Sequence, residues 1–187
     1  IRESVSHMLV LFPFETQMYE QEDIPVTFVG HPLADLIPLQ PDRLAAQQRL
    51  GLDTSRKVLA VLPGSRTSEV RMLSARFLQA VQLLQKQNPD LQVVVPMVNK
   101  QRRQEFEAIA QENPIQHLRI IDQPLREGWP AAWEAMEAAD AVLVASGTAT
   151  LETALFKRPM VISYVLTPMM RRLMAWKSGQ EKPYLPW

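Results

Sequence analysis

Val58-Leu59-Ala60-Val61-Leu62 is an unbroken apolar run that stops at Pro63-Gly64-Ser65-Arg66-Thr67-Ser68-Glu69. Directly behind it, Val70, Leu73, Phe77, Leu78, Val81 and Leu84 recur at helical spacing, so a helix is expected over 69–86. A strand with no polar alternation is one covered on both faces. The unit is therefore strand, glycine-bearing loop, helix.

The same unit recurs outward from this stretch. Strands are expected at 92–95, 118–121, 141–145 and 160–164, with helices at 101–111, 131–138, after Gly147, and at 168–177. Short buried strands alternating with helices imply crossover connections and an α/β fold, a doubly wound parallel sheet with helices on both faces. Towards the start, 8–11 and 26–29 read as strands and 1–7 as the tail of a helix. Pro32, Pro38 and Pro41 then punctuate a stiff, extended connection over 31–42. A boundary near Pro38 divides the chain into 1–38, the tail of a preceding domain and a linker, and 39–187, a second domain. The start at Ile1 and the stop at Trp187 lead us to expect an internal piece of a longer protein.

Composition narrows the class of function. The 187 residues carry 20 Lys plus Arg against 20 Asp plus Glu, which lacks the basic excess of a nucleic-acid-binding chain. No cysteine is present, so neither a disulfide nor a thiolate metal site can form. No apolar run approaches the roughly 20 residues that span a bilayer.

In open parallel sheets, ligands bind beyond the carboxyl ends of the strands. Glycine is scarce, six in all, yet Gly64 and Gly147 each stand between an expected strand and an expected helix. In the first loop, Gly64 permits close backbone approach, one hydroxyl of Ser65, Thr67 or Ser68 is expected to cap the helix, and Arg66 offers a planar cationic fork suited to pyrophosphate. In the second, Ser146-Gly147-Thr148 repeats the pattern, and Glu152 lies a turn into its helix, where a carboxylate can accept two ribose hydroxyls. Each loop also fits a bland reading: a tight turn with a solvated arginine, and a glycine-assisted helix start with a favourable first-turn acid. Neither matches a dinucleotide or P-loop signature. Together they suit a nucleoside diphosphate sugar.

Phe28-Val29-Gly30-His31-Pro32-Leu33-Ala34-Asp35, Leu62-Pro63-Gly64-Ser65-Arg66 with Glu69-Val70, Val94-Val95-Pro96-Met97-Val98-Asn99, and Ala145-Ser146-Gly147-Thr148-Ala149 with Leu151-Glu152 stand in this order along the chain. With Leu11-Phe12-Pro13-Phe14-Glu15 ahead of them, these blocks resemble the lipid-A-disaccharide synthases over essentially the whole chain. The resemblance implies the Rossmann-like, UDP-sugar-binding half of a two-domain GT-B glycosyltransferase. It implies inverting transfer of 2,3-diacylglucosamine from UDP to 2,3-diacylglucosamine 1-phosphate, forming a β-1,6 disaccharide in lipid A biosynthesis, with no metal or other cofactor. It makes Arg66 the group that stabilises the leaving diphosphate, and Gly64, Ser65, Ser146, Gly147, Thr148, Glu152 and His31 substrate-binding. The aspartate base would precede this chain and a Leu-Pro-Asn segment would follow it, so the piece alone is expected to bind UDP without turnover. Partners implied are the two lipid substrates, a peripheral contact with the cytoplasmic face of the inner membrane, and a second copy in a homodimer. Another UDP-sugar enzyme of this build, such as an N-acetylglucosaminyltransferase or a UDP-sugar 2-epimerase, and a non-catalytic nucleotide-binding module, stand as alternatives.

His31 fits a structural turn at least as well as a phosphate contact, and Asp35 reads as the cap of the next short helix. His7 and His117 show no partner in the sequence. The run Lys100-Gln101-Arg102-Arg103 reads as a solvated helix start. Over 168–177, Met169, Met170, Leu173 and Met174 make a soft apolar stripe beside Arg171 and Arg172, suited to a neighbouring domain or to anionic lipid.

Overall fold

A computed structural model describes residues 4–165 and, beyond them, 169, 172, 173, 175 and 176. The chain forms two compact units, Ile1–Pro41 with Leu155–Lys157, and Asp42–Ala154 with Arg158–Trp187.

The first unit is a strand–helix–strand turn: β1 (Met8–Val10), α1 (Pro13–Glu20) and β2 (Val26–Phe28), with the short α2 (Leu33–Leu36) after it. The two strands pair in parallel, Met8 beside Val26 and Val10 beside Phe28. Residues 4–7 are not helical, against the expected helix tail. The proline-rich stretch is not extended throughout either, because Pro32 has helical backbone angles and starts α2. Asp35 therefore lies inside α2 instead of capping a helix. The cap falls to Asp42, whose side chain accepts the Ala45 N–H at 3.0 Å.

The second unit holds α3 (Arg43–Arg49), β3 (Val58–Leu62), α4 (Thr67–Gln87), β4 (Gln92–Pro96), α5 (Lys100–Glu112), β5 (Leu118–Ile121), α6 (Ala131–Ala138), β6 (Ala141–Ala145), α7 (Thr148–Leu155) and β7 (Met160–Ser163). Its five strands are all parallel, in the order β5-β4-β3-β6-β7. The sheet is doubly wound, as its alternating apolar runs require.

Successive strand residues point to opposite faces, and both faces are filled. Leu59, Val61, Val93 and Val95 pack with Val70, Leu73, Phe77 and Leu78 of α4 and Phe106 of α5. On the other face, α6 lies over β3 and β4, and α3 lies against α6. That layer is joined by charge. Glu134 and Glu137 of α6 are buried at 0% and 2% exposure. Arg49 reaches both, at 2.6 Å and 3.0 Å, and Arg126 reaches both from the other side. Buried carboxylates persist only when paired in this way. Arg158 donates to the Met136 and Glu137 carbonyls at 3.2 Å and 2.7 Å. Burial, aided by nearby Arg43, pushes its guanidinium below the ordinary arginine value.

The central strands are also pinned at their starts. Asp140, just ahead of β6, accepts the Val58 N–H at 2.9 Å and donates its own N–H to the Val58 carbonyl at 2.8 Å. This fixes β3 against β6, so the loops leaving their other ends emerge side by side.

Candidate functional site at the switch point of the sheet

The chain winds outward from β3 through β4 to β5, then returns across the sheet to place β6 on the opposite side of β3. The order reverses between β3 and β6, which pair from Leu59 beside Ala141 to Leu62 beside Val144. A crevice opens beyond the carboxyl ends of strands at such a reversal. The two glycine loops of the sequence are the two loops that flank it.

They share one cavity of about 380 Å³, within the range of roughly 300–1,000 Å³ for ligand pockets. Gly64, Ser65, Arg66, Ser146, Gly147, Thr148 and Glu152 all line it. Glu69, Pro96, Val98 and Ala132 are also in its wall. Pro96 and Val98 belong to the third block of the resemblance, whereas Ala132 was not singled out, because an apolar residue at a helix start reads only as core.

The first loop differs from expectation in how it is held. No hydroxyl caps α4; Arg66 stands at the capping position with extended backbone angles and no capping side-chain bond. The carboxylate of Glu69 folds back instead, and its Oε2 accepts the N–H groups of Ser65 at 2.9 Å and Arg66 at 3.1 Å. Its Oε1 lies 3.4 Å from Nη1 of Arg66. A glutamate three residues past the capping position is a known partner for those donors, and Arg66-Thr67-Ser68-Glu69 carries that spacing. The N–H groups of Ser65 and Arg66, just ahead of the helix, are therefore already occupied. The Arg66 side chain itself is 81% exposed.

The second loop is open. Ser146 donates its N–H to the Ser163 carbonyl at 3.3 Å, and Thr150 bonds the Gly147 carbonyl through both N–H and hydroxyl, at 3.1 Å and 2.7 Å. A Cβ added to Gly147 would meet nothing within 4 Å among the described residues, and its φ of +159° is one that side-chain-bearing residues rarely adopt. Glu152 sits half-buried on α7, one turn in. The first N–H groups of a helix lack intrahelical acceptors.

His31 belongs to the first unit. Its Nδ1 accepts the Leu33 N–H at 3.2 Å and its ring tilts against Phe12 at 6.0 Å, both contacts within its own unit. His7 and His117 have partners after all: Thr27 Oγ1 at 2.9 Å and Arg56 Nη1 at 3.4 Å. The basic run at 100–103 is not solvated as expected. Asn99 caps α5, Arg102 is 7% exposed and pairs with Glu105 at 3.1 Å, and Arg103 pairs with Glu107 and Asp122. Those carboxylates, Glu107 first, raise the Arg103 guanidinium above its ordinary value.

Among the described residues, no group of three or more His, Cys, Asp or Glu side chains is placed to hold a metal, and no helix is long and apolar enough to cross a membrane. The stripe at 168–177 lies mostly outside the described residues; Met169, Leu173 and Trp176 are helical and exposed.

The family model for lipid-A-disaccharide synthetase matches residues 1–175. The lipid-A-disaccharide synthase of Bordetella petrii is 67% identical over 189 residues, covering 100% of this chain and 48% of that protein. That of Bordetella avium is 67% identical over 190 residues, with the same shares. That of Aromatoleum aromaticum is 50% identical over 187 residues, 100% of this chain and 45% of its own. The chain spans about half the length of these relatives. With its four motif blocks in order and three of them lining one cavity at the switch point, the chain belongs to the lipid-A-disaccharide synthetase family.

Proposed function

We propose that this chain is the donor-binding half of a hexosyltransferase that moves 2,3-diacylglucosamine from UDP to 2,3-diacylglucosamine 1-phosphate, with inversion, to make the lipid A disaccharide. The observation that carries the reading is the convergence of Arg66, the Ser146–Thr148 loop and Glu152 on a single cavity at the sheet's switch point.

The chemistry follows from where charge develops. As the bond from the sugar to the UDP oxygen breaks, negative charge grows on the diphosphate. An exposed guanidinium and the opening of α7 face that charge with fixed positive poles, and donors aimed at developing charge are usually the largest catalytic contribution. Glu152 is assigned the ribose hydroxyls. The sound division of labour puts the nucleotide here and the acceptor and general base on the remainder of the full-length protein. No step in this reading requires a cation. His31 is tied to the substrate by the resemblance alone, since the contacts described for it lie within its own unit. The acylated substrates favour an enzyme working at the cytoplasmic face of the inner membrane.

Titration with UDP, UMP and ATP tests the assignment. Selective binding of UDP is expected, weakened about 10- to 100-fold in Arg66→Ala, because a hydrogen bond to a charged group contributes roughly 1.5–3 kcal/mol. Binding that is absent, or equal for all three nucleotides, would instead favour a non-catalytic module.

A further inference from the structure

We propose that Glu69 is a positioning residue for the donor diphosphate: it locks the backbone from which Arg66 reaches over the cavity, and it keeps the mouth of α4 from serving as the phosphate cradle. The inference rests on the UDP-binding reading above and deepens it.

Three observations converge. The Glu69 carboxylate takes the Ser65 and Arg66 N–H groups, at 2.9 Å and 3.1 Å, and stands beside the Arg66 guanidinium. Gly64 has φ of +117°, and a Cβ there would lie 2.5 Å from both Cβ and Oε2 of Glu69. The loop is thus shaped around this side chain, which is only 19% exposed. Finally, Gly64, Ser65, Arg66 and Glu69 all line the cavity itself.

A carboxylate in the mouth of α4 repels a second anion there. The diphosphate is therefore met from this wall by the guanidinium, and by backbone only from the α7 wall. The ion pair between Glu69 and Arg66 matters less than the two backbone bonds, because a guanidinium this exposed gains little from a single salt bridge. The alternative is plain helix capping, since Glu15 accepts the Leu11 and Phe12 N–H groups of the first unit in the same manner.

Comparison of UDP with uridine separates the two. Glu69→Ala and Glu69→Asp, whose carboxylate is a methylene too short to reach both donors, are expected to weaken UDP about tenfold and leave uridine unchanged. Glu69→Gln, whose amide oxygen still accepts both N–H groups, is expected to stay within about twofold of wild type. Should Glu69→Ala fail to fold, as judged by thermal melting, the Asp and Gln variants decide. Equal losses of UDP and uridine, or UDP binding unchanged or tightened in Glu69→Asp, would overturn the inference while leaving the UDP site standing. A wild-type chain that ignores UDP would overturn both.

Discussion

Gly64 and Glu69 are fitted to each other: the space a Cβ on Gly64 would need is filled by the Cβ and Oε2 of Glu69, each 2.5 Å away. The backbone of Gly64, at φ +117°, is one that side-chain-bearing residues rarely adopt. Gly64→Ala should accordingly do two things at once. It strains the turn by about 1–3 kcal/mol and expels the carboxylate from the mouth of α4. A fall in thermal stability together with weakened UDP binding is expected, whereas Gly147→Ala, strained by a φ of +159° but with open space around it, should lose less stability than Gly64→Ala. Equal melting temperatures for the two variants would contradict this account of the loop.

The charged layer between α3 and α6 makes a separate prediction. Arg49 and Arg126 share the same two buried carboxylates, so removing either leaves Glu134 with one of its two arginines and Glu137 with one arginine and the Asp42 N–H. Breaking a buried pair costs about 3–5 kcal/mol. The arginines are 28% and 33% exposed, which places each single alanine variant towards the lower end. Because both act on one pair of acids, their effects should not add. A double-mutant cycle by urea unfolding checks this; single losses below about 1 kcal/mol that simply sum would count against it.

Acid sensitivity has a local source in Asp53. The Ser55 hydroxyl, and then its backbone N–H, donate to Asp53 at 2.6 Å and 3.0 Å and hold the carboxyl below its ordinary value of 3.8. A carboxyl lowered in the folded state stabilises the fold above its unfolded value. That contribution disappears as pH falls through the folded one. Asp53→Asn should melt slightly below wild type at neutral pH, and the two curves should meet as the pH drops past the ordinary aspartate range. A gap that widens in acid would reverse the sign and refute the assignment.

The sheet was legible because its central strands are buried on both faces. Val58–Leu62 and Gln92–Pro96 are covered along their whole length, and covered parallel strands read as apolar runs. The helices α1 and α3 were not legible. None of the residues of α1 is buried. In α3 the buried set is only Ala46 and Gln47, and its hold on the protein comes from Arg49 pairing with acids 85 and 88 residues away. Such a pairing leaves no local periodicity.

At the site, the glycines and Arg66 announced themselves by their position after strands. Glu69 did not, because hydroxyl residues beside it offered a more familiar cap. The spacing Arg66-Thr67-Ser68-Glu69 was the available signal. Its consequence is an uneven cavity, with a carboxylate bonded into the loop on the α4 side and a glycine-bearing helix opening on the α7 side.

The central claim is that this cavity holds UDP with its diphosphate between Arg66 and the opening of α7 and its ribose against Glu152. A crystal structure of the protein soaked with UDP tests it most directly. The account predicts phosphate oxygens within hydrogen-bond distance of the Arg66 guanidinium and of the 147–149 backbone, with Glu69 still bonded to Ser65 and Arg66. Nucleotide seated elsewhere in the molecule, or phosphates lodged in the mouth of α4 with Glu69 displaced, would contradict it.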